Sequence, residues 1–146
     1  MPGLDATIRD ARPEDAEALA RLLDQLGYPA PPEAIAHRVE RLASSELDRL
    51  VVAEVAGEVV GLAGIHVSLS LEYEEPAAKL SAIVVDEAYR RRGFGQALIA
   101  AMEAEARARG CGLIFLTTAE RRADARAFYG RIGFEETGRR FAKRLR

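Results

Sequence analysis

The chain has 146 residues, of which 49% are hydrophobic and 30% are charged, a balance typical of a globular protein long enough to bury a core. The formal net charge of -2 gives no overall attraction to nucleic acid, so we expect no nucleic-acid partner. No apolar run reaches the length of a membrane span and the N-terminus lacks a signal-peptide core, so we expect a cytoplasmic protein without a membrane partner.

The N-terminal third of the chain predicts a short strand and two helices. Residues 7–9 form the predicted strand, and Pro13 suits the first position of the helix that follows. Residues 27–32 interrupt that helix with a glycine and prolines. Apolar residues at helical spacing mark the buried faces of the two helices: Leu19, Leu22, Leu23, Leu26, Ile35, Val39 and Leu42.

The middle of the chain predicts a β-hairpin followed by an acidic turn. Residues 50–55 and 59–65 are the two predicted strands, joined at the tight turn of residues 56–58. Gly61 and Gly64 interrupt the second strand, which indicates a bulge or a close neighbour. Residues 68–76 then form a polar turn rich in glutamate.

The next predicted strand covers residues 79–85 and ends in the continuous apolar run Ile83, Val84 and Val85. Such a run is typical of a strand that is covered on both faces. A helical pattern follows, and Gly110 is the residue type usual just beyond a helix C-terminus.

The loop between this strand and this helix contains two glycines and three arginines. Gly93 and Gly95 lack a Cβ, so the backbone can turn tightly and approach a ligand closely. Unpaired N–H groups at a helix N-terminus and the helix dipole both favour anions. The arginines add positive charge: Arg90, Arg91 and Arg92. The sequence therefore predicts a phosphate-binding loop at this corner.

The C-terminal part predicts a buried strand at residues 113–117, a short helix at 122–131 ended by Gly133, and a terminal hairpin formed by residues 134 onward and 140–144. The order of elements is strand, two helices, three strands, helix, strand, helix and two strands. This order predicts an α/β fold built on a mixed sheet, in a single domain of residues 1–146.

The basic loop resembles the pyrophosphate loop of the GCN5-related N-acetyltransferases (GNAT), written Gln/Arg-x-x-Gly-x-Gly/Ala. Here it reads Arg90-Arg-Arg-Gly93-Phe-Gly95. Other phosphate loops fit less well, because no Walker run exists and Leu98 stands where a dinucleotide fingerprint needs its third glycine. The resemblance, which covers nearly the whole chain, implies that backbone amides from Arg91 to Gln96 hold the pyrophosphate of acetyl coenzyme A.

The same resemblance implies a mostly antiparallel sheet with helices on both faces and a splayed central pair of strands, residues 80–85 and 113–117. The pantetheine arm of acetyl-CoA would enter the gap between them and pair with main-chain groups of Ile83 and Val85. The implied coenzyme-binding residues are Ile83, Val84, Val85, Arg90, Arg91, Arg92, Gly93, Phe94, Gly95, Gln96 and Arg122.

Tyr129 is the candidate catalytic acid. Residues 125–134 are similar to the second family signature, Asn-x-x-Ala-x-x-Leu/Phe-Tyr-x-x-x-Gly-Phe, in which the tyrosine protonates the departing thiolate. A phenol suits this role because phenol and thiolate have comparable basicity. The alternative is that Tyr129 belongs only to an apolar helix stripe. Arg122 occupies the asparagine position, so the side-chain amide contact to pantetheine is not carried over.

The general base is open. Several relatives place a carboxylate on the strand that here carries Lys79 and Ser81, and neither residue is acidic. His66 and a glutamate of the turn (Glu72, Glu74 or Glu75) are candidates that can act through a water, although His66 also suits a structural role and each glutamate a solvated turn. Cys111 is the lone cysteine, which excludes an internal disulfide and a cysteine-based zinc cluster. We interpret it as a small buried hydrophobic residue. We expect no metal site.

The resemblance implies transfer of an acetyl group from acetyl-CoA to a primary amine of a small molecule or peptide, by direct attack in a ternary complex. Alternatives are transfer of a longer acyl group, acetylation of an aminoglycoside-like antibiotic, a coenzyme-binding regulatory module without turnover, and a pure interaction domain. Relatives often pair through the sheet edge or C-terminal strands, so a homodimer is a further expectation.

Overall fold

The computed structural model describes residues 5–118 and 123–146, which form a five-stranded sheet in the order β1-β2-β3-β4-β5. The strands are β1 (Thr7–Asp10), β2 (Asp48–Val55), β3 (Glu58–Ser68), β4 (Ala77–Val85) and β5 (Leu113–Phe115). The first four pair antiparallel, and β5 runs parallel to β4. The predicted α/β fold with a mixed, mostly antiparallel sheet is confirmed.

Four helices accompany these strands within the described ranges. They are α1 (Ala16–Leu26), which a 3₁₀ turn at Pro13–Asp15 precedes, α2 (Pro32–Ala43), α3 (Phe94–Ala108) and α4 (Ala123–Arg131). The helices predicted from leucine spacing are confirmed, with Leu19 and Leu22 almost completely buried. None of the helices in the described part of the chain is long and apolar enough to cross a membrane.

Helices cover both faces of the sheet, as predicted. On one face α1 and α2 pack on a core that includes Leu62 and Val84, and on the other face α3 packs on Ile65 and Leu80 through Met102. Strand residues of alternating direction therefore supply two cores.

The glycines of β3 allow α3 to lie close to the sheet. A Cβ added at Gly61 would lie 3.0 Å from Leu98 Cδ1, which confirms the expectation of a close neighbour. The register of β3 and β4 shifts between Gly64 and Ile65, so Ser81 is an extra residue on β4. A bulge of this kind bends a strand and increases its twist.

β5 pairs along its whole length, but only with the start of β4. Their register runs from Ala77 opposite Leu113 to Lys79 opposite Phe115. Among the described residues β4 continues from residue 80 to 85 with no partner on the β5 side. The strand pair predicted to separate is therefore unpaired from residue 80 to the end of β4.

Two C-terminal predictions are wrong. The strand expected at residues 113–117 to be buried is shorter and forms a half-exposed edge, with Leu113 45% and Phe115 38% exposed. No hairpin forms, since residues 134–146 contain no strand and Phe141 and Leu145 are almost fully exposed. The segment has few apolar side chains, so a strand there would bury little apolar surface.

Candidate active site

The start of α3 forms an open anion-binding turn. Arg91 and Gly93 both have left-handed backbone, with φ of 64° and 88°. The first α-helical bond joins the Ala97 N–H to the Gly93 carbonyl at 3.0 Å. The N–H groups just before Ala97 therefore precede the helical ladder, and no side chain in the described structure caps them. No acidic residue lies in this first turn, so the helix dipole remains available to an anion.

Gly95 lies between α4 and the end of β4. A Cβ at Gly95 would lie 3.6 Å from Phe128 Cζ on α4 and 3.7 Å from Val85 Cγ2 at the end of β4. The Phe94 side chain is buried and packs edge-to-face on Tyr89, with ring centroids 6.1 Å apart. Phe94 therefore anchors the helix start through its side chain, and only its main chain faces the loop.

The three arginines of the loop differ in their surroundings. Arg90 Nε donates to the Val85 carbonyl at 3.1 Å and so ties the loop to the end of β4. The Arg92 guanidinium lies 5.3 Å from the centroid of the Tyr89 ring, within cation–π distance. Arg91 is exposed. Within the described ranges none of the three forms an ion pair with a carboxylate, so the loop keeps its positive charge.

These observations fit a pyrophosphate group. A left-handed glycine, uncapped N–H groups, a free dipole and unneutralised arginines are what a bound diphosphate requires. The gap beyond the last β4–β5 pair lies next to this corner, because β4 ends at Val85 and α3 starts at Phe94. The donor set therefore suits a ligand with a phosphate end at the loop and an arm along β4.

Tyr129 lies on α4 in a cluster of three aromatic rings. Its centroid is 5.4 Å from Phe128 and 5.7 Å from Phe134, both edge-to-face. The cluster packs against the core beneath α3, and Phe128 reaches Gly95. Tyr129 therefore belongs to an apolar stripe and also lies on the element beside the basic loop, so both interpretations match its position. The predicted contact of Arg122 falls outside the described residues.

His66 lies on β3, opposite Asp48 of β2 and Lys79 of β4. Its Nδ1 is 3.0 Å from Asp48 Oδ1, and Asp48 also accepts a 2.6 Å hydrogen bond from the Ser45 hydroxyl. Asp48 could not be predicted as the partner of His66, because nothing local in the sequence distinguishes it from other surface acids.

Glu72 lies in the exposed turn that follows β3. Its N–H donates to the Ser70 hydroxyl of the same turn at 3.1 Å. The contacts of the described residues thus bring His66 to Asp48 and leave Glu72 in solvent. Glu75, from the same turn, lies against the start of β5, because a Cβ at Gly112 would be 3.0 Å from its Oε2.

A surface recess lies at the opposite end of α3 from the basic loop. It has a volume of about 420 Å³ and is lined by residues that include Leu42, Asp48, Arg49 and Glu105. Glu105 pairs with Arg109 and Arg49, and the Arg109 hydrogen bond is the main cause of its lowered pKa. Because its charges are already paired, this recess lacks the unneutralised positive charge of the basic loop.

Comparison with known proteins places this geometry in a family. The acetyltransferase (GNAT) family matches residues 15–134. An aminoglycoside N(6')-acetyltransferase type 1 of Stenotrophomonas maltophilia is 31% identical over 137 residues, which cover 91% of this chain and 88% of that enzyme. An aminoalkylphosphonate N-acetyltransferase of Salmonella typhimurium is 36% identical over 89 residues, 61% of this chain and 58% of that enzyme.

Solved structures agree. The aminoglycoside N-acetyltransferase AAC(6')-Iy in complex with CoA has a TM-score of 0.85 and 25% identity, and the match covers 100% of this chain and 99% of that one. A transcriptional regulator from Bacillus halodurans C-125 has a TM-score of 0.87 and 26% identity, with 96% and 99% covered. The chain therefore belongs to the acetyltransferase (GNAT) family and is an acyltransferase. Since this family uses acetyl-CoA, the predicted co-substrate is confirmed at the level of the family.

Proposed function

We propose that this protein transfers an acetyl group from acetyl-CoA to a primary amine of a small molecule or peptide, by direct attack in a ternary complex. The observation that carries the proposal is the uncapped first turn of α3, which opens beside the unpaired end of β4. An anion-binding turn next to a free strand edge accommodates both the phosphate end and the amide-bearing arm of coenzyme A.

The coenzyme would be held by main-chain groups and a few side chains. Amides from Arg91 to Gln96 bind the pyrophosphate, while Arg90 and Arg92 hold the loop in place through Val85 and Tyr89. The arm lies along β4, where main-chain groups of Ile83 pair with it. The Val85 carbonyl already accepts a bond from Arg90, so Val85 contributes its other main-chain atoms.

The chemistry is acyl transfer from sulfur to nitrogen. The acceptor nitrogen attacks the acetyl carbonyl carbon, and a β4 amide donates to the carbonyl oxygen as negative charge develops there. Tyr129 donates its hydroxyl proton to the sulfur as the carbon–sulfur bond breaks. The proton lost by the amine passes to a base, for which His66, held by Asp48, and Glu72 are the candidates. Water between the base and the amine completes that path.

The acceptor is proposed to be cationic. Glu72, Glu74 and Glu75 form an exposed acidic turn beyond β3, and a cluster of like charges attracts amines through its field. Two relatives are named for aminoalkylphosphonate and aminoglycoside acetylation, and both substrate classes carry amines. An aminoglycoside-type acceptor is therefore the second candidate.

Binding and turnover test the proposal in two stages. Coenzyme A at a hundred times its dissociation constant should stabilise the protein by ~2.7 kcal/mol, measured as a rise in Tm. Polyamines, amino acids, aminoglycosides and peptide N-termini are then screened with acetyl-CoA for release of free thiol. Binding without thiol release would favour a regulatory module, and no coenzyme-dependent rise in Tm would refute the proposal.

A charge placed in the loop gives a sharper control. Gly95→Asp adds a carboxylate to the first turn of α3. The new Cβ would make ordinary van der Waals contacts with Phe128 and Val85. An acidic side chain at a helix N-terminus stabilises the helix by about 0.3–1 kcal/mol. We expect the variant to fold with unchanged or higher stability and to lose coenzyme binding, because the carboxylate repels the pyrophosphate. Gly95→Asn, nearly equal in shape, should retain more binding than Gly95→Asp. Equal binding by the two variants would contradict an electrostatic site.

A further inference from the structure

Two side chains of α1, Arg21 and Gln25, contact the turn that leads into the basic loop, and we call this pair the clasp. The Glu87 N–H donates to Gln25 Oε1 at 3.0 Å, across 62 residues of sequence. Arg21 Nε lies 3.5 Å from Asp86 Oδ2, and the Asp86 side chain is only 14% exposed. One helix thus grips two consecutive residues of the 3₁₀ turn between β4 and α3.

The gripped turn is connected to the loop by a continuous chain of contacts. Asp86 Oδ1 accepts from the Ala88 N–H at 3.0 Å, and the Asp86 carbonyl accepts from the Tyr89 N–H at 2.8 Å. Tyr89 in turn packs on Phe94 and lies under Arg92. A shift of the turn would therefore be passed to the first residues of α3.

Gln25 stands almost at the end of α1, beside the connection to α2. The helix ends at Leu26, Gly27 is left-handed with φ of 102°, and Tyr28 is 68% exposed. The clasp therefore links the connection between α1 and α2 to the turn that leads into the basic loop.

We propose that Gln25 is a positioning residue, which holds the Asp86–Tyr89 turn so that the α3 amides are preorganised for coenzyme. The inference rests on the proposed function, since acetyl-CoA is the ligand of that loop. Without the Gln25 oxygen the Glu87 N–H bonds to water and the turn gains freedom. Coenzyme binding must then order the loop, which lowers apparent affinity by the fraction of molecules in the competent arrangement.

Three variants test the clasp. Gln25→Ala removes the acceptor, Gln25→Glu keeps an acceptor oxygen at the same reach, and Asp24→Ala is a matched surface control on the same helix. We expect Gln25→Ala to exchange amide hydrogens of residues 86–96 several times faster and to raise the Kd for coenzyme A by about 3–10-fold, as a loss of preorganisation predicts. Gln25→Glu should restore most of both effects, and Asp24→Ala should show neither.

Different results overturn different statements. Unchanged exchange at residues 86–96 in Gln25→Ala would refute the clasp itself. Faster exchange with an unchanged Kd for coenzyme A would refute the link to binding, and so would a higher Kd that Gln25→Glu does not lower. If the unmodified protein binds no coenzyme A, the proposed function fails, while hydrogen exchange still decides whether Gln25 holds the turn.

Discussion

The phenol of Tyr129 can be removed without removing the ring that carries it. In Tyr129→Phe the edge-to-face contacts with Phe128 at 5.4 Å and Phe134 at 5.7 Å are retained, and each is worth about 0.5–1.5 kcal/mol beyond its buried area. The loss in stability is then confined to hydrogen bonding of the hydroxyl, about 0.5–1.5 kcal/mol. We therefore expect a folded variant with a modest change in Tm.

The expected loss in rate is much larger. A positioned acid contributes roughly 10²–10⁴-fold to a proton transfer. With about 1.36 kcal/mol for each factor of ten, the barrier should rise by about 2.7–5.4 kcal/mol. Since the hydroxyl acts on the sulfur at the end of the pantetheine arm and the phosphates bind at the basic loop, the Kd for coenzyme A should hardly change.

The assay is free-thiol release at saturating acetyl-CoA, with Kd for coenzyme A and Tm measured on the same samples. Tyr89→Phe is the matched control, because it also removes a phenol and keeps the ring that contacts Phe94 and Arg92. We expect Tyr89→Phe to retain its kcat. Equal kcat values for the two variants would mean that Tyr129 serves only the aromatic stripe.

Two further predictions concern stability. Gly61→Ala should lower the free energy of unfolding by about 1–3 kcal/mol, because its Cβ would meet Leu98 Cδ1 at 3.0 Å and the Val84 carbonyl at 3.2 Å. When Leu98→Val is added, the double variant should be less destabilised than the sum of the two single variants. Strictly additive losses in denaturant unfolding would contradict a steric clash. The hydrogen bond from Arg9 lowers the pKa of Asp15 in the folded protein. The Asp15 carboxylate therefore stabilises the fold fully at a pH above its pKa in the unfolded chain, and this stabilisation is lost as the pH falls through its pKa in the folded protein. Asp15→Asn should therefore be less stable at pH 7 and show a shallower decline below about pH 4, and parallel stability curves for variant and parent would disprove this.

Local patterns predicted the elements that depend on local physics. Leucine spacing located α1 and α2, because a helix buries one face every 3.6 residues. The succession of β4, Gly93 and α3 predicted the uncapped N-terminus of α3, since a short loop between a strand and a helix allows few backbone conformations. The hairpin expected at residues 134–146 does not form because a strand also needs a neighbour and enough apolar surface to bury, and this segment is mostly polar.

By itself the sequence determined the order of helices and strands as far as α4, the position of the basic loop between β4 and α3, and the family to which these belong. Only the tertiary structure decided which distant groups meet: Asp48 at His66, Phe128 at Gly95, and Gln25 at the N–H of Glu87. Periodicity records whether a side chain is buried or exposed, whereas a hydrogen bond across 62 residues depends on how helices lie on the sheet. That arrangement is set by packing of the whole core, and no short stretch of the chain carries it.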